Sequence, residues 1–177
     1  MFLGWYYWYM KNLGNKIVVV GVSASGKSTF SRKLAKKLNL PLTLMDKIMW
    51  KPGWNYIGDD ETVKKLEEIS IQDKWIIEGY ITTPARTFLF DRADIIIYLD
   101  YHSIVSSIRY IKRWWKHRKD PRPELPGSPE RFSFKFLRLV WTKGEAITLD
   151  RFLDEVEDQD KIVRLSSLRE TRIFLKK

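Results

Sequence analysis

Along the chain, short runs of consecutive apolar residues alternate with longer stretches in which apolar residues recur every three or four positions. Ile17 to Val20, Lys74 to Glu78, Asp94 to Asp100 and Lys161 to Leu165 are of the first kind. Pro41 to Met45 is a shorter member of the set. Continuous β-branched runs fit strands buried on both faces. The second kind predicts helices: Lys27 to Leu38 on Phe30, Leu34 and Leu38, and Asp59 to Ile71 on Val63, Leu66 and Ile69. A short helix is expected over 84–91, opened by Pro84. A longer one is expected from His102 to about His117, with Ile104, Ile108, Ile111 and Trp115 as its inward stripe. Arg131 to about Glu157 returns to helix, and a last helix starts near Leu168. Residues 47–58 and 119–130 carry the prolines and glycines of loops. Strands alternating with helices call for an α/β fold in three layers, with a parallel sheet between helices.

The chain has 177 residues, enough for one domain with one core. Lys and Arg outnumber Asp and Glu by 32 to 22, a net charge of +10 that favours anionic partners such as nucleotides, nucleic acid or anionic lipid. There is no cysteine and only two histidines, His102 and His117. Disulfides, thiolate catalysis and multi-histidine metal sites are thereby excluded. No run approaches the ~20 apolar residues of a membrane span, so no integral membrane association is expected. The aromatic opening MFLGWYYWYM has neither a basic n-region nor a small-residue cleavage site. It reads as a tail that docks on the domain or a partner, or as sequence upstream of a true start at Met10. The domain proper is expected over 16–177, after an extension over 1–15.

The chemistry concentrates in Gly21-Val22-Ser23-Ala24-Ser25-Gly26-Lys27-Ser28, which fits G-x-x-x-x-G-K-[ST] without deviation. Phosphate oxygens need several donors converging on one point. A loop of small residues turns its N–H groups inward, and the following helix adds its unpaired amides and positive dipole end. Lys27 is expected on the β- and γ-phosphates, the Ser28 hydroxyl on Mg²⁺ and the Thr29 hydroxyl on the α-phosphate. A buried strand before the motif and a helix after it supply the confirming context. ATP with Mg²⁺ is therefore the expected ligand.

Other residues take roles from their place at strand ends. Asp46 follows the second strand, where ligands of open α/β sheets lie. It is a candidate base for an acceptor hydroxyl, or a Mg²⁺ partner through water. Trp50 and Trp54 either stack on an acceptor or close a small satellite core. Glu78 ends the third strand and is a second candidate for Mg²⁺ through water, and with Asp46 a candidate for binding the acceptor. The stretch Arg109 to Arg122 holds seven basic residues and one acid. It reads as a lid over about 110–135 whose arginines, Arg113 and Arg118 first, neutralise charge on the transferring group and exclude water. With Tyr110, Trp114 and Trp115 interleaved, it also fits a nucleic-acid groove, or a plain solvated helix face with its aromatics turned to the core.

The landmarks GVSASGKST, LMDKIMWKPGW (44–54), WIIEGY (75–80), ADIIIYLD (93–100), GSPERFSFKFLRLVW (127–141) and VRLSSLRETRIFL (163–175) resemble the FlaR-type DNA topology modulation proteins, P-loop proteins related to adenylate kinase. The resemblance covers residues 16–175. It implies a nucleoside-monophosphate-kinase-like fold: a five-stranded parallel sheet in the order 2-3-1-4-5, an acceptor-binding region and a helical lid. It further implies an acceptor-phosphate arginine between the third and fourth strands, for which Arg86 is the first candidate and Arg92 the second. The chain departs at Glu78, where that family usually has Asp, and in having Gly-Tyr where the family has Gly-Asn-Tyr.

Two functions follow. One is a phosphotransferase moving the ATP γ-phosphoryl to a small acceptor, a nucleotide or a hydroxyl compound, in the cytoplasm, as monomer or homodimer. The other is a nucleic-acid-associated ATPase or nucleotide-switched regulator. A membrane-surface role for the aromatic terminus is a third, weaker reading.

Overall fold

A computed structural model describes residues 13–81, 83–142 and 144–176. The aromatic segment 1–9 and the alternative start at Met10 lie outside the described residues. Five parallel strands form the central sheet: β1 (Lys16–Gly21), β2 (Leu42–Leu44), β5 (Trp75–Glu78), β6 (Ile95–Leu99) and β7 (Ile162–Leu165). Their spatial order is β2-β5-β1-β6-β7. Counted over the five strands alone, this is the expected 2-3-1-4-5. Ile17 pairs with Ile76 on one side and Ile95 on the other, which puts β1 at the centre. The β-branched runs are there because both faces are covered. Ile17, Val18, Val19, Ile76, Ile77, Ile96 and Ile97 are all fully buried.

Eight helices are described: α1 (Lys27–Leu38), α2 (Met45–Met49), α3 (Asp59–Ser70), α4 (Thr83–Arg92), α5 (Ser103–His117), α6 (Phe134–Trp141), α7 (Gly144–Asp154) and α8 (Leu168–Lys176). A 3₁₀ turn, Gln159–Lys161, leads into β7. One core layer joins Val18, Ile77 and Ile96 to Leu66, Leu89, Leu149 and Leu153. The opposite layer joins Ile17, Val19 and Ile97 to Phe30, Leu34 and Phe174. Leu13 is already buried in that second layer, and Asp94 accepts hydrogen bonds from the amides of Asn15 and Lys16. Among the described residues, Leu13 to Asn15 already contribute to the packing and bonding of the domain.

Three local expectations are corrected. Residues 47–58 are not plain loop: α2 runs into a small antiparallel hairpin, β3 (Trp50–Lys51) and β4 (Asn55–Tyr56). The expected helix over 131–157 is divided into α6 and α7, and α6 ends on Thr142, whose ψ of 0° leaves the helical range. The stripe of α5 is reversed. Ile104, Ile108, Ile111 and Trp115 are 43–61% exposed, whereas Ser106, Ser107 and Tyr110 are buried. The reason lies in the partners. Tyr110 stacks on Phe132 and Phe136, and its hydroxyl bridges Arg131 O and the Ser133 amide. Arg109, one position away, reaches the loop after β1. With that face turned inward, the isoleucines face outward. No helix among the described residues is long and apolar enough to cross a membrane.

Candidate functional site

The site lies beyond the carboxyl ends of the strands, in a broad cleft. β1 delivers the chain into the loop Gly21–Gly26, and α1 begins at Lys27. Gly26 caps α1 with φ +93°, a conformation glycine adopts without strain. A Cβ there would lie 2.9 Å from the Arg109 guanidinium, so the lack of a side chain also admits that cation. Arg109 donates to Ser25 O. Lys27 is buried, and its Nζ donates to Val22 O at 3.0 Å. The Ser25 hydroxyl is fully buried with no hydrogen-bond partner. A loop of small residues, a buried lysine folded along it and an unsatisfied buried donor fit a nucleotide phosphate group.

Glu78 follows at the end of β5. It is 5% exposed, beside Lys27 and within hydrogen-bonding reach of the Ser28 hydroxyl. Burial pushes its carboxyl above the usual range, and Lys27 and Ser28 offset this only in part. Gly79 allows Asp46 to approach. A Cβ at Gly79 would lie 2.4 Å from Met45 Cβ, so α2 packs directly on this backbone. Ser28, Glu78 and Asp46 thereby line one wall of the cleft. Among the described residues no group of three His, Cys, Asp or Glu side chains is arranged to hold a metal alone. A Mg²⁺ ion at this wall would need phosphate oxygens to complete its shell, as ATP supplies.

The raised Glu78 carboxyl carries a pH signature. A carboxyl whose folded pKa lies above its unfolded value favours folding while protonated and loses that contribution as pH rises through the folded pKa. Glu78→Gln is therefore expected to match the wild type below about pH 4, under the unfolded glutamate value. At pH 7 without nucleotide it should melt on the order of 2–4 °C higher. Thermal scans across pH check this; a lower melting temperature at pH 7 would contradict it.

The remaining wall is an ion network that the sequence reading did not foresee. Arg122, 8% exposed, lies 3.0 Å from Asp46 Oδ2, 2.8 Å from Glu130 Oε1 and 3.6 Å from Glu124 Oε1. Arg113 Nε lies 3.2 Å from the same Glu130 oxygen, and Arg32 lies 3.0 Å from Glu124. The Nε contacts of Arg113 and Arg122 lack hydrogen-bond angles, so they are ionic rather than directed. Burial lowers the Arg113 pKa, and Glu130 partly restores it. Burial also works against the ionised form of Glu124. Its own backbone amide, Arg32 and Arg122 outweigh that and hold its carboxyl below the usual range.

The segment bearing this network is tied to the hairpin. Gly53 N donates to Gly127 O and Ser128 Oγ, Trp54 N donates to Ser128 Oγ, and the Trp54 indole donates to Pro129 O. Trp50 packs between Trp54 and Tyr56, with ring centres 5.6 and 5.4 Å away. The two tryptophans therefore close a small aromatic cluster, and both also line the cleft with Tyr80.

Of the other candidates, Arg113 reaches the cleft, with Glu130 as its partner. Arg118 does not: it folds back on Trp115, 3.8 Å above the ring, and donates to Trp115 O. Arg86 is also elsewhere, 3.1 Å over the Phe152 ring and 3.4 Å from Glu155. Burial lowers the Arg86 pKa, with Glu155 acting the other way. Arg92 bonds Ser70 on the far side of α4. Conversely, Arg109, Arg122, Glu124, Glu130 and Glu145 line the cleft without having been singled out for it. Arg109 and Arg122 bound the basic stretch read as a lid, so their presence was legible, but their partners Ser25 and Asp46, 84 and 76 residues away, were not. Glu124 and Glu130 gave no such signal. Glu145 is 122 residues from its partner Ser23, whose amide donates to Glu145 Oε2 at 2.5 Å and whose hydroxyl donates to Oε1 at 2.8 Å.

A parallel sheet in this order, with a glycine-bounded loop after its central strand and a basic helix over that loop, is a fold shared with solved kinases. The chain superposes on a gluconokinase from Sinorhizobium meliloti 1021 with a TM-score of 0.55 and 18% identity, covering 93% of each chain. It superposes on the shikimate kinase from Acinetobacter baumannii, solved in complex with shikimate, with a TM-score of 0.56 and 18% identity over 97% of this chain and 93% of that one. A shikimate kinase from Bacteroides thetaiotaomicron is similar, with a TM-score of 0.54 and 16% identity over 90% and 93%. No family model and no curated protein sequence matches the chain.

Proposed function

We propose that this chain is an ATP-dependent kinase that moves the γ-phosphoryl of ATP to a hydroxyl of a small acceptor. The observation that carries the reading is the convergence of Lys27, Ser28, Glu78 and Asp46 at the mouth of the phosphate loop, facing an aromatic wall. Lys27 and the loop amides from Gly21 to Thr29 bind the phosphates and orient the terminal one. Mg²⁺, held by Ser28 and through water by Glu78 or Asp46, would supply charge neutralisation between the phosphates. Asp46 accepts the acceptor's proton, since its carboxylate is 43% exposed towards the cleft. Arg122 holds Asp46 in place, and Arg113 positions Glu130 beside it. The segment 110–135 serves as the lid that excludes water, without which ATP would be hydrolysed.

The acceptor is a hydroxyl compound rather than a nucleotide. Arg86, the candidate for a second nucleotide's phosphate, is spent on Phe152 and Glu155. The likeness to a gluconokinase and to shikimate kinases supports the same choice. The aromatics of α5 weaken the nucleic-acid reading: Tyr110 and Trp114 pack on Phe132 instead of forming an open stacking surface. Kinship with the FlaR-type proteins rests on the segments quoted above and belongs to this proposal. A cytoplasmic kinase, monomeric or homodimeric, is the setting it implies.

The test is ADP release with a panel of polyols, hydroxy acids, amino alcohols, nucleosides and nucleoside monophosphates. At least one small hydroxyl compound is expected to raise turnover well above the acceptor-free rate. Stimulation by nucleoside monophosphates alone would overturn the acceptor class, and no stimulation by any member would overturn the transferase reading.

A further inference from the structure

The two Ser23 bonds to Glu145 place a carboxylate on a loop built to hold phosphate. Both oxygens are taken, one by an N–H and one by an O–H, donors a phosphate would use in the same way. Glu145 sits in the first turn of α7, where the helix dipole also favours an anion.

Position along the loop decides which phosphate the carboxylate resembles. The amides at the start of α1 hold the inner phosphates. Lys27 spans the β- and γ-positions, and its Nζ is bonded to Val22 O, the residue before Ser23. Ser23 therefore faces the outermost phosphate. We infer that Glu145 occupies the place of the nucleotide's terminal phosphate, so that a triphosphate must expel it while a diphosphate leaves it seated. The inference rests on the nucleotide-binding reading above.

The physical cost is one of like charge. A carboxylate against a γ-phosphate, in a partly buried cleft, is repelled more strongly than in water. The way out is local. Leu149 and Leu153 anchor the later turns of α7 in the core, and Ala146 is the buried residue of its first turn, so lifting that turn uncovers a single methyl group while the rest of the helix stays packed. Glu145 thus sets nucleotide preference: it lowers affinity for ATP and leaves affinity for ADP nearly untouched. It also links arrival of the γ-phosphate to movement of α7, and through the α6–α7 junction to the segment next to the lid.

Two measurements test this on the full chain. The first is calorimetric titration of ATP and ADP, at fixed Mg²⁺, into the wild type, Glu145→Gln and Glu145→Ala. Both variants are expected to bind ATP about tenfold more tightly, with ADP changed by less than about twofold. The second needs no variant. Hydrogen exchange at 144–148 in the wild type should rise with a non-hydrolysable ATP analogue and stay unchanged with ADP. Weaker ATP binding in the variants would make Glu145 a support of the loop and overturn the inference. So would equal shifts for ATP and ADP, or an exchange rate at 144–148 that falls with the ATP analogue. If no form binds either nucleotide, the reading of the site fails, and this inference with it.

Discussion

Replacing Lys27 by methionine is expected to lower kcat for phosphoryl transfer by about 10²–10³-fold while the chain stays folded. Lys27 is the one buried cation on the phosphate loop among the described residues. A preorganised charge in a partly dry site is worth far more at the moment of transfer than in water, and removing one such donor typically costs that much. Methionine keeps the aliphatic stem and removes the charge. The fold should therefore be kept by circular dichroism, with a melting temperature that matches the wild type at low pH and falls below it at pH 7. Loss of the charge also leaves Glu78 without its nearest cation, which drives the Glu78 carboxyl still higher. A variant that keeps full activity would remove Lys27 from the chemistry.

The second large effect is on stability. Arg122→Met is expected to destabilise the fold by about 3–5 kcal/mol, read as a lower midpoint in urea denaturation. Arg122 stands among Asp46, Glu124 and Glu130, and the two glutamates are 8% and 6% exposed. Without the guanidinium, buried carboxylates face one another with only Arg113 and Arg32 at their edges. Part of the loss is recovered by protonation, so the deficit should shrink as pH falls through the carboxylate range. The double variant Arg122→Met, Glu130→Gln should regain part of it at pH 7, because one of the stranded charges is gone. An unchanged midpoint in the single variant would mean that water reaches the network and screens it.

Much of this molecule was legible before its structure. Apolar runs such as Ile17 to Val20 have one physical solution in a chain of this length: strands covered on both faces, joined by helices. The loop from Gly21 to Thr29 is local, nine consecutive residues, so spacing alone was enough to single it out as a candidate phosphate site. What failed was anything decided by partners far away. The reversed face of α5 is the clearest case. Periodicity correctly found a helix with an apolar stripe, but which face turns inward was settled by Tyr110 meeting Phe132 and Phe136, and by Arg109 reaching Ser25. Arg86 and Arg118 failed in the same way. Each is a cation near a site in sequence, and each found a nearer ring, Phe152 or Trp115. Arg122 could be seen as basic, but not as the hub of three carboxylates drawn from residues 46, 124 and 130.

The ties between the hairpin and the Gly127–Pro129 stretch have a mechanical meaning. Four hydrogen bonds from Gly53 and Trp54, together with the Arg122–Asp46 pair, join the acceptor wall to the proposed lid. Fastened at that many points, the two parts are expected to move together, so that on the proposed function closure over the nucleotide would carry the acceptor wall with it. Trp54 sits at the fastening, its indole N–H on Pro129 O. The chain has eight tryptophans, so the difference in emission between the wild type and Trp54→Phe isolates that ring and would gauge how far the two parts open.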